Sequence, residues 1–502
     1  MNIGRRSLLS GAAAVIGGGA VYAASRLWRG GVASDPQPLQ IPPLLDARSS
    51  GQSISLTARA GQTQFFAGRP SPTQGYNGSY LGPTLRLHRG DDVQMAVTNA
   101  LSSDTSVHWH GLLIPAEVDG SPHQPIRPGE TWRPVLAVRQ PAATLFYHPH
   151  LHGQTATQVY SGLAGVLLVV DESQRGLGLP DEYGVDDLPL VLQDREFNAG
   201  RMVLPAGMMT SMLGRRGDTL LVNGTPHAVA RVPARLVRLR LVNGSNARIY
   251  DLSFDDGRVL HWIATEGGLL DAPVQLRSLS LAPGQRAEVL VDFSDGRKTT
   301  LMTAPDANAS MGGMMGARGG GSAAPAGGPA PVLVFEPGLA LAVEARKPVA
   351  PQLVTHERVD ASRAVKRRRF TLDMGMGGMG GGGGTGGMGG MGGMGGLSIN
   401  GRAFQMGRID ERVRLGDVEI WEVSAQMMAH PFHVHGMHFE VLRRGGGPAA
   451  VRDQGLRDTV LVKDPVELLV RFTQPARVAP FMYHCHILEH EDGGMMGQFA
   501  TD

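Results

Sequence analysis

The chain has 502 residues, of which 42 % are hydrophobic, so it is long enough for about three domains with apolar cores. The formal net charge is only +2 and no dense basic stripe is present, which argues against a nucleic-acid partner. Cys485 is the one cysteine, so an intramolecular disulfide is excluded and its neighbours must indicate its role.

The first 35 residues resemble an export signal followed by a linker. The run Gly4–Leu9 is similar to a twin-arginine motif, and a mildly apolar stretch rich in Ala and Gly follows it. Small residues predict cleavage near Ala23. The alternative is a retained membrane anchor, but the stretch is short of the ~20 strongly apolar residues that a span needs. We therefore expect an exported, periplasmic protein with no stable membrane anchor.

The rest of the chain predicts an all-β fold. Short apolar or alternating runs recur between Gly, Pro, Asn and Asp residues, for example at 165–170, 287–293 and 418–423. No segment has the pattern of a long amphipathic helix.

A rough internal repeat divides this region into three units. Each unit contains an Asn-Gly pair ahead of strand-like segments; the pairs are Asn77-Gly78, Asn223-Gly224 and Asn400-Gly401. Three copies of one β unit fit the length. We place the units at 38–172, 173–340 and 350–502.

Two segments are low in complexity and predict mobile loops. One begins at Met311 and ends near residue 330, and the other spans residues 374–396 and is almost only Gly and Met. Gly is costly to order and Met alone gives too little burial for a packed core. The methionines of the second loop are Met374, Met376, Met379, Met388, Met391 and Met394.

Four short segments hold ten of the seventeen histidines, and each contains a His-x-His pair. The paired histidines are His108 and His110, His148 and His150, His433 and His435, and His484 and His486. Residues two apart on a strand point to the same face, so each pair offers two imidazoles to one region. One such pair is more often solvated or hydrogen-bonded, but four pairs in one pattern predict a metal site.

The segment around Cys485 separates two metal sites. His484 and His486 flank the cysteine and must face the opposite side of a strand, so the thiolate serves one ion and its neighbours another. His430 upstream, with His490 and Met495 downstream, completes the ligand set of a blue copper centre. A structural zinc site would explain some of these residues, but not ten histidines with one thiolate.

These segments resemble, in order and spacing, the four copper motifs of the multicopper oxidases. The resemblance covers the whole mature chain and implies three cupredoxin-like, Greek-key β-sandwich domains with four copper ions. It implies that the type 1 copper is held by His430, Cys485, His490 and the axial Met495. The implied type 2 ligands are His108 and His433. The implied ligands of the two type 3 coppers are His110, His148, His150, His435, His484 and His486.

The resemblance also implies acidic residues near the trinuclear cluster. Asp119 and Glu491 match such positions, and carboxylates with tuned pKa values relay protons to reacting oxygen. The alternative for Asp119 is an ordinary turn residue before Gly120. His152 and His438 lie off the ligand positions, and we expect packing or supporting roles for them.

The sequence is less decisive about the substrate. The chain looks most like the bacterial cuprous oxidases of copper tolerance, with dioxygen and Cu(I) as partners, because the Met-rich loop, Met427 and Met428 match them. Gln426 departs from them, since cuprous oxidases carry a carboxylate there. A laccase-like oxidase of phenols or aromatic amines is one alternative, and a linker role for the loop is another.

A non-catalytic copper-binding protein is a third possibility. Some exported relatives keep the fold without its copper ligands and serve in cell division. The complete ligand set argues against that interpretation. We expect a monomer that oxidises Cu(I).

Overall fold

The computed structural model describes residues 35–306, 308, 328–338, 349–375 and 396–502. All but the last residue of the export signal and linker expected at residues 1–35, and the loop methionines from Met376 to Met394, lie outside the described residues. Within the described ranges strands are the dominant secondary structure, as the sequence predicts, and they form three β-sandwich domains.

The first domain contains two facing sheets. Its strands are β2 (Leu44–Asp46), β3 (Ser53–Phe66), β4 (Arg69–Tyr76), β5 (Thr84–His88), β6 (Asp92–Ala100), β7 (Thr131–Trp132), β8 (Val135–Ala137), β9 (Ala143–Tyr147) and β10 (Gly165–Val170). One sheet has the order β2-β5-β10-β9, and the other has the order β4-β3-β6-β7 with β8 added beside β6. The short strand β1 (Gln37–Pro38) precedes this domain but pairs with a strand of the second.

The second domain is the middle one and also contains two sheets. Its strands are β11 (Asp187–Asn198), β12 (Arg201–Val203), β13 (Thr219–Val222), β14 (Thr225–Pro226), β15 (Ala228–Pro233), β16 (Leu236–Asn243), β17 (Tyr250–Phe254), β18 (Leu260–Thr265), β19 (Gly268–Leu276), β20 (Leu279–Leu281), β21 (Arg286–Asp292), β22 (Thr299–Thr303) and β23 (Ala330–Gly338). The larger sheet has the order β14-β13-β11-β16-β21-β18-β19, with β12 beside β11. The other has the order β1-β15-β23-β22-β17-β20.

The third domain completes the molecule. Its strands are β24 (Lys366–Asp373), β25 (Ser398–Ile399), β26 (Glu411–Val413), β27 (Val418–Ala425), β28 (His430–Val434), β29 (Phe439–Arg444), β30 (Gly447–Pro448), β31 (Thr459–Val462), β32 (Val466–Arg471), β33 (Ala476–Cys485) and β34 (Met496–Thr501). They form the sheets β25-β24-β27-β32-β29-β30 and β26-β34-β33-β28-β31.

The helices in the described residues are short. They are α1 (Thr155–Ser161), α2 (Met208–Leu213) and α3 (Leu488–Asp492), with 3₁₀ turns at Arg48–Ser50, Ala116–Val118, Glu172–Gln174, Ala361–Arg363 and Val451–Asp453. None of these described helices has the length and apolar character needed to cross a membrane. Asp492 of α3 accepts hydrogen bonds from the backbone of Thr155 and Ala156, at 3.1 and 2.9 Å, which joins the third domain to the first.

The strands follow the burial patterns that their sequences predict. In β6, Val93, Met95 and Val97 are buried while the residues between them are partly or fully exposed, which is the alternation of a strand with one face on a core. In β10 and β21, by contrast, nearly every residue is buried. Each domain has its own large apolar core, and the candidate cysteine ligand Cys485 lies inside that of the third.

The Asn-Gly pairs of the internal repeat occupy equivalent positions. Asn77, Asn223 and Asn400 all have left-handed backbones, with φ of 58°, 51° and 54°. Each Asn side chain accepts a hydrogen bond from the backbone N–H of one residue in a nearby strand, at 2.7–2.8 Å. It also donates to the carbonyl of the strand residue two positions before that one, at 2.8–3.0 Å. Asn tolerates this conformation better than other non-glycine residues, so the same turn chemistry is used in all three domains.

Candidate metal centre

Two neighbouring strands position the donors of the third domain. Strands β28 and β33 are antiparallel, with Phe432 opposite Cys485 and His433 opposite His484. Because side chains alternate along a strand, Cys485 points to one side and His484 to the other. The backbone N–H of His486 donates to the carbonyl of Pro431 at 2.7 Å, which keeps the chain beyond β33 beside β28.

In the first domain, His108 and His148 are directly paired. The backbone N–H of each donates to the carbonyl of the other, at 2.8 and 3.2 Å. This bridge brings the two His-x-His motifs of the domain side by side. All four histidines are buried.

His430, Cys485 and His490 form one group of donors, here called the cysteine group. The Nδ1 atoms of the two histidines lie 3.3 Å apart, and they lie 3.4 and 3.6 Å from Sγ of Cys485. Bonds of about 2.0–2.3 Å to one central ion in a trigonal plane give separations of about 3.5 Å. Met495 is fully buried beside this group, and its backbone carbonyl accepts from Cys485 N–H at 3.1 Å.

The histidines of the four pairs form two groups of three and one group of two. The His110 group contains His110, His148 and His486, and the His150 group contains His150, His435 and His484. In the His150 group, Nε2 of His484 lies 3.1 Å from Nε2 of His150 and 3.1 Å from Nε2 of His435. The pairs His148–His150, His433–His435 and His484–His486 are each divided between neighbouring groups, whereas His108 and His110 also share a group with His433. This arrangement allows the divided pairs to serve adjacent ion positions.

His108 and His433 form the third position, here called the His108–His433 pair. Nδ1–H of His108 donates to the carbonyl of Asp119 at 3.0 Å, and Nδ1–H of His433 donates to the carbonyl of Asp458 at 2.9 Å. Both Nε2 atoms are buried, and neither has a hydrogen-bond partner among the described residues. Buried polar atoms are nearly always satisfied, so this orphaned pair fits a bound metal ion.

Burial keeps the imidazoles of the cysteine group, the His110 group and the His150 group in the form that binds metal. It lowers the pKa of His430 to about 4, and burial together with the charge of His430 lowers that of His490 to about 3. It also lowers the pKa of every histidine in the His110 and His150 groups well below 6.5. They are neutral at pH 7, as ligation requires. Burial raises the pKa of Cys485, and a positive ion would oppose that effect.

Two carboxylates lie against the histidine groups. Asp119 is fully buried, and its Oδ2 accepts from Nδ1–H of His435 at 2.7 Å. A Cβ at Gly120 would lie 1.7 Å from the carbonyl oxygen of Val107, so glycine is required beside Asp119. Glu491 lies 3.4 Å from Nδ1 of His150 and 3.4 Å from Nδ1 of His484. Burial, reinforced by the charge of Asp492, raises the pKa of Glu491 well above 4.5.

The described candidates Met374, Met427 and Met428 differ in burial, and the two histidines near the motifs, His152 and His438, belong to none of the donor groups. Met374 and Met428 are buried in the core of the third domain, whereas Met427 is 43 % exposed and has a φ of 67°. His152 packs against Phe404, with ring centroids 5.0 Å apart, and His438 is buried.

Sequence reasoning missed two charged residues at the centre. Asp458 is buried, and its Oδ1 lies 3.2 Å from Nε2 of His110. Arg286 of the middle domain donates to both oxygens of Asp458, at 2.8 and 2.5 Å. Burial acts to raise the pKa of Asp458, but the charge of Arg286 outweighs it and holds that pKa well below 3.8. The available signal was an Arg at the start of a strand, shortly after a Pro-Gly turn.

Three β-sandwich domains with these donor groups define a cupredoxin-like copper protein, and comparison with known proteins agrees. Models of the multicopper oxidase family match residues 57–174, 198–316 and 384–502. The chain belongs to the multicopper oxidase family, as its motifs predict.

Solved structures with the same three-domain fold include bacterial multicopper oxidases. One is a laccase-like multicopper oxidase, CueO, from the lignin-degrading bacterium Ochrobactrum sp., described as having oxidase activity towards lignin model compounds. It is 38 % identical, has a TM-score of 0.82, and the match covers 93 % of this chain and 100 % of that one. Another is the McoA multicopper oxidase of Aquifex aeolicus, at 31 % identity, a TM-score of 0.79 and the same coverage.

Curated relatives point to another process. Cell division protein FtsP of Dickeya dadantii is 37 % identical over 506 residues, which covers 100 % of this chain and 99 % of the relative. The protein of that name from Yersinia pestis is 36 % identical over 507 residues, with the same coverage.

These relatives correct the function expected from the sequence. The expectation of a Cu(I) oxidase in copper tolerance, with a phenol oxidase as the alternative, was wrong, because full-length relatives are named for cell division. The complete ligand set argued against a protein like the cell-division relatives, and the full-length matches to FtsP overturn that inference. The substrate role expected of the methionines depended on that function and is abandoned with it.

Proposed function

We propose that this chain is an exported, copper-binding member of the multicopper oxidase family that takes part in cell division. The role in cell division is supported by a single observation, the match to cell division protein FtsP over essentially the whole length of both chains. The donor groups support the copper, because nitrogen and thiolate donors with a methionine nearby select copper over harder ions.

We assign four copper positions to the described donors. The cysteine group would hold a type 1 ion, with Met495 as a weak axial ligand. The His108–His433 pair would hold a type 2 ion, and the His110 and His150 groups would hold two type 3 ions. Copper at these positions would supply one-electron transfer and the reduction of dioxygen.

The residues of the chain prepare the centre for those ions. Buried, neutral imidazoles present unprotonated nitrogens, and backbone carbonyls fix the ring orientation of His108, His433 and His484. Cys485 lies next in sequence to His484 and His486, so one peptide unit on either side connects the cysteine group to the two histidine groups. Asp119 and Glu491 are placed to hold or move protons beside them.

Export through the twin-arginine route, with cleavage near Ala23, is part of the proposal and is supported by the run Gly4–Leu9. That route carries folded proteins, which suits a chain that binds its metal before export. We further propose that the protein is a periplasmic monomer.

A complementation experiment tests the role in division. Cells lacking the gene are expected to septate late and to become longer than wild-type cells, and expression of the intact chain should restore their length. Expression of Cys485→Ser in the same cells tests whether copper at the cysteine group contributes. Deletion cells of wild-type length under both optimal and stressed growth would contradict the role in division.

A second candidate function is copper-dependent oxidation with dioxygen as the acceptor. The observation that favours it is the completeness of the donor sets, since every histidine needed for four ions lies in a buried group. The test is dioxygen uptake by the copper-loaded protein with ferrocyanide as a one-electron donor. Uptake that is absent in Cys485→Ser supports this activity. No uptake by a fully loaded wild-type protein would leave copper binding without turnover.

A further inference from the structure

The middle domain supplies none of the described donors, yet one of its turns contacts them. The turn Ala282–Gln285 leads into β21 and lies against the third domain. Gly284 has a φ of 81°, and a Cβ there would lie 2.8 Å from the ring of His486. Nε2 of Gln285 donates to the carbonyl of Thr459 at 3.1 Å.

Arg286, the first residue of β21, joins all three domains. Its side chain is fully buried, and its Nη1 and Nη2 atoms donate to the two oxygens of Asp458 in the third domain. Its Nε donates to the carbonyl of Thr144 in the first domain at 3.3 Å, and Nη1 also donates to the carbonyl of Gly284 at 2.9 Å. Only a planar guanidinium can make this set of contacts from one side chain.

Asp458, which Arg286 holds, contacts the candidate ligand His110. Its Oδ1 receives Nε2–H of His110 at 3.2 Å and the hydroxyl of Thr459 at 2.8 Å. An ionised carboxylate only accepts, so the proton of His110 is on Nε2 and its Nδ1 is free for an ion. That Nδ1 lies 3.3 Å from Nε2 of His148.

This orientation is opposite to that of the neighbouring ligands. His148 and His484 donate through Nδ1 to the carbonyls of Pro149 and Cys485, at 2.8 and 3.0 Å, and so present Nε2. No backbone carbonyl holds His110 in the part of the chain that the structure describes. Its orientation therefore depends on Asp458, with the Thr459 hydroxyl 3.3 Å from the same nitrogen.

We propose that Arg286 and Asp458 are positioning residues of the metal centre, through which the middle domain fixes the ring of His110 and so the copper affinity of the histidine groups. This inference rests on the proposed copper binding. Without Arg286, the buried carboxylate would lose its bidentate partner and no longer hold its place beside His110. Removing such an outer partner of a ligand typically weakens metal affinity about 10–100-fold.

The experiment compares Arg286→Met and Arg286→Lys with the wild-type chain. Copper is titrated into each apoprotein, its content per chain is measured, and the resting protein is examined by electron paramagnetic resonance. The blue absorption of the cysteine group serves as an internal control for folding of the third domain. Arg238→Met is the matched control, because Arg238 is an equally buried arginine that pairs with Glu288 and touches no donor.

Arg286→Met is expected to keep the blue absorption and to bind copper at the histidine groups about 10–100-fold more weakly. Arg286→Lys keeps the charge but makes fewer contacts, so its copper affinity should lie between those of Arg286→Met and the wild type. Arg238→Met should lower stability but leave copper affinity unchanged. Wild-type affinity in Arg286→Met, or an equal loss in Arg238→Met, would overturn the inference. A wild-type chain that binds no copper would instead contradict the proposed function on which it rests.

Discussion

Replacing Glu288 by Gln tests whether the charges buried between the first and middle domains stabilise the fold as ions. One oxygen of Glu288 accepts from Arg238 at 2.9 Å, and the other accepts from Arg240 at 2.9 Å and from the hydroxyl of Thr144 at 2.6 Å. Burial alone would raise the pKa of Glu288, but the two arginines outweigh it and lower that pKa to about 2.

The magnitude follows from that pKa. Each pKa unit corresponds to about 1.4 kcal/mol, so a change from 4.5 to about 2 contributes about 3 kcal/mol to the free energy of unfolding. Because the pKa is lowered in the folded state, this contribution is complete above about pH 4.5 and is lost as the pH falls towards 2. Glu288→Gln should therefore cost about 3 kcal/mol at pH 7, and the difference from wild type should shrink below pH 4.5.

Urea unfolding, followed by the fluorescence of the tryptophans, which include the buried Trp262 of the middle domain, measures the effect at pH 7 and at pH 3. Glu336→Gln is the control, since Glu336 pairs with Lys298 at 2.8 Å on the exposed surface of the same domain. It should cost less than about 1 kcal/mol. The reasoning is wrong if Glu288→Gln costs no more than the control at pH 7, or costs the same at both pH values.

Three further predictions concern the metal centre and its surroundings. Asp119→Asn should slow dioxygen uptake by about 10²–10⁴-fold and leave the blue absorption intact; unchanged uptake would remove this carboxylate from proton transfer. Cys485→Ser should abolish the blue absorption and the copper of the cysteine group but retain the histidine-bound copper. Metal analysis and electron paramagnetic resonance measure both, and loss of copper from all groups would contradict the prediction. Gly436→Ala should destabilise the chain by about 2–4 kcal/mol in thermal unfolding, because φ is 65° and the new Cβ would lie 2.3 Å from the ring of Phe481. Gly416→Ala, with φ of 92° and open space around it, should cost only about 1 kcal/mol, and equal costs would contradict the steric argument.

The three-domain fold could be predicted from local patterns. Asn77, Asn223 and Asn400 each precede glycine at corresponding points of the repeat, and each forms the same turn. The alternation of polar and apolar residues likewise identifies strands such as β6, because its period is set by the backbone and needs no distant contact.

The candidate metal donors could also be identified from the alternation of side chains along strands, but which of them lie together in one group could not. The spacing of His484, Cys485 and His486 dictates opposite faces of a strand. Which of these histidines shares a group with His110 or His150 depends on how the first and third domains pack, and spacing within one motif carries no such information.

The residues that act across domains were missed in the sequence analysis. Arg286 and Asp458 are 172 positions apart and meet only after three domains assemble, and neither has a neighbour that suggests metal. The prediction of Cu(I) as substrate was wrong for a different reason, because it was inferred from the composition of a loop. Gln426 was the contrary sign, since a neutral amide holds a cation less firmly than a carboxylate.

The division of donors between domains has a consequence for the order of events in synthesis. The His110 group, the His150 group and the His108–His433 pair each take residues from both the first and the third domain. The ribosome delivers His108 long before His484, so none of these sites exists until the last strands have been released and docked. The cysteine group belongs to the third domain alone and forms when that domain folds. Metal binding by the histidine groups would therefore require the complete chain, and a truncated product would lack these sites.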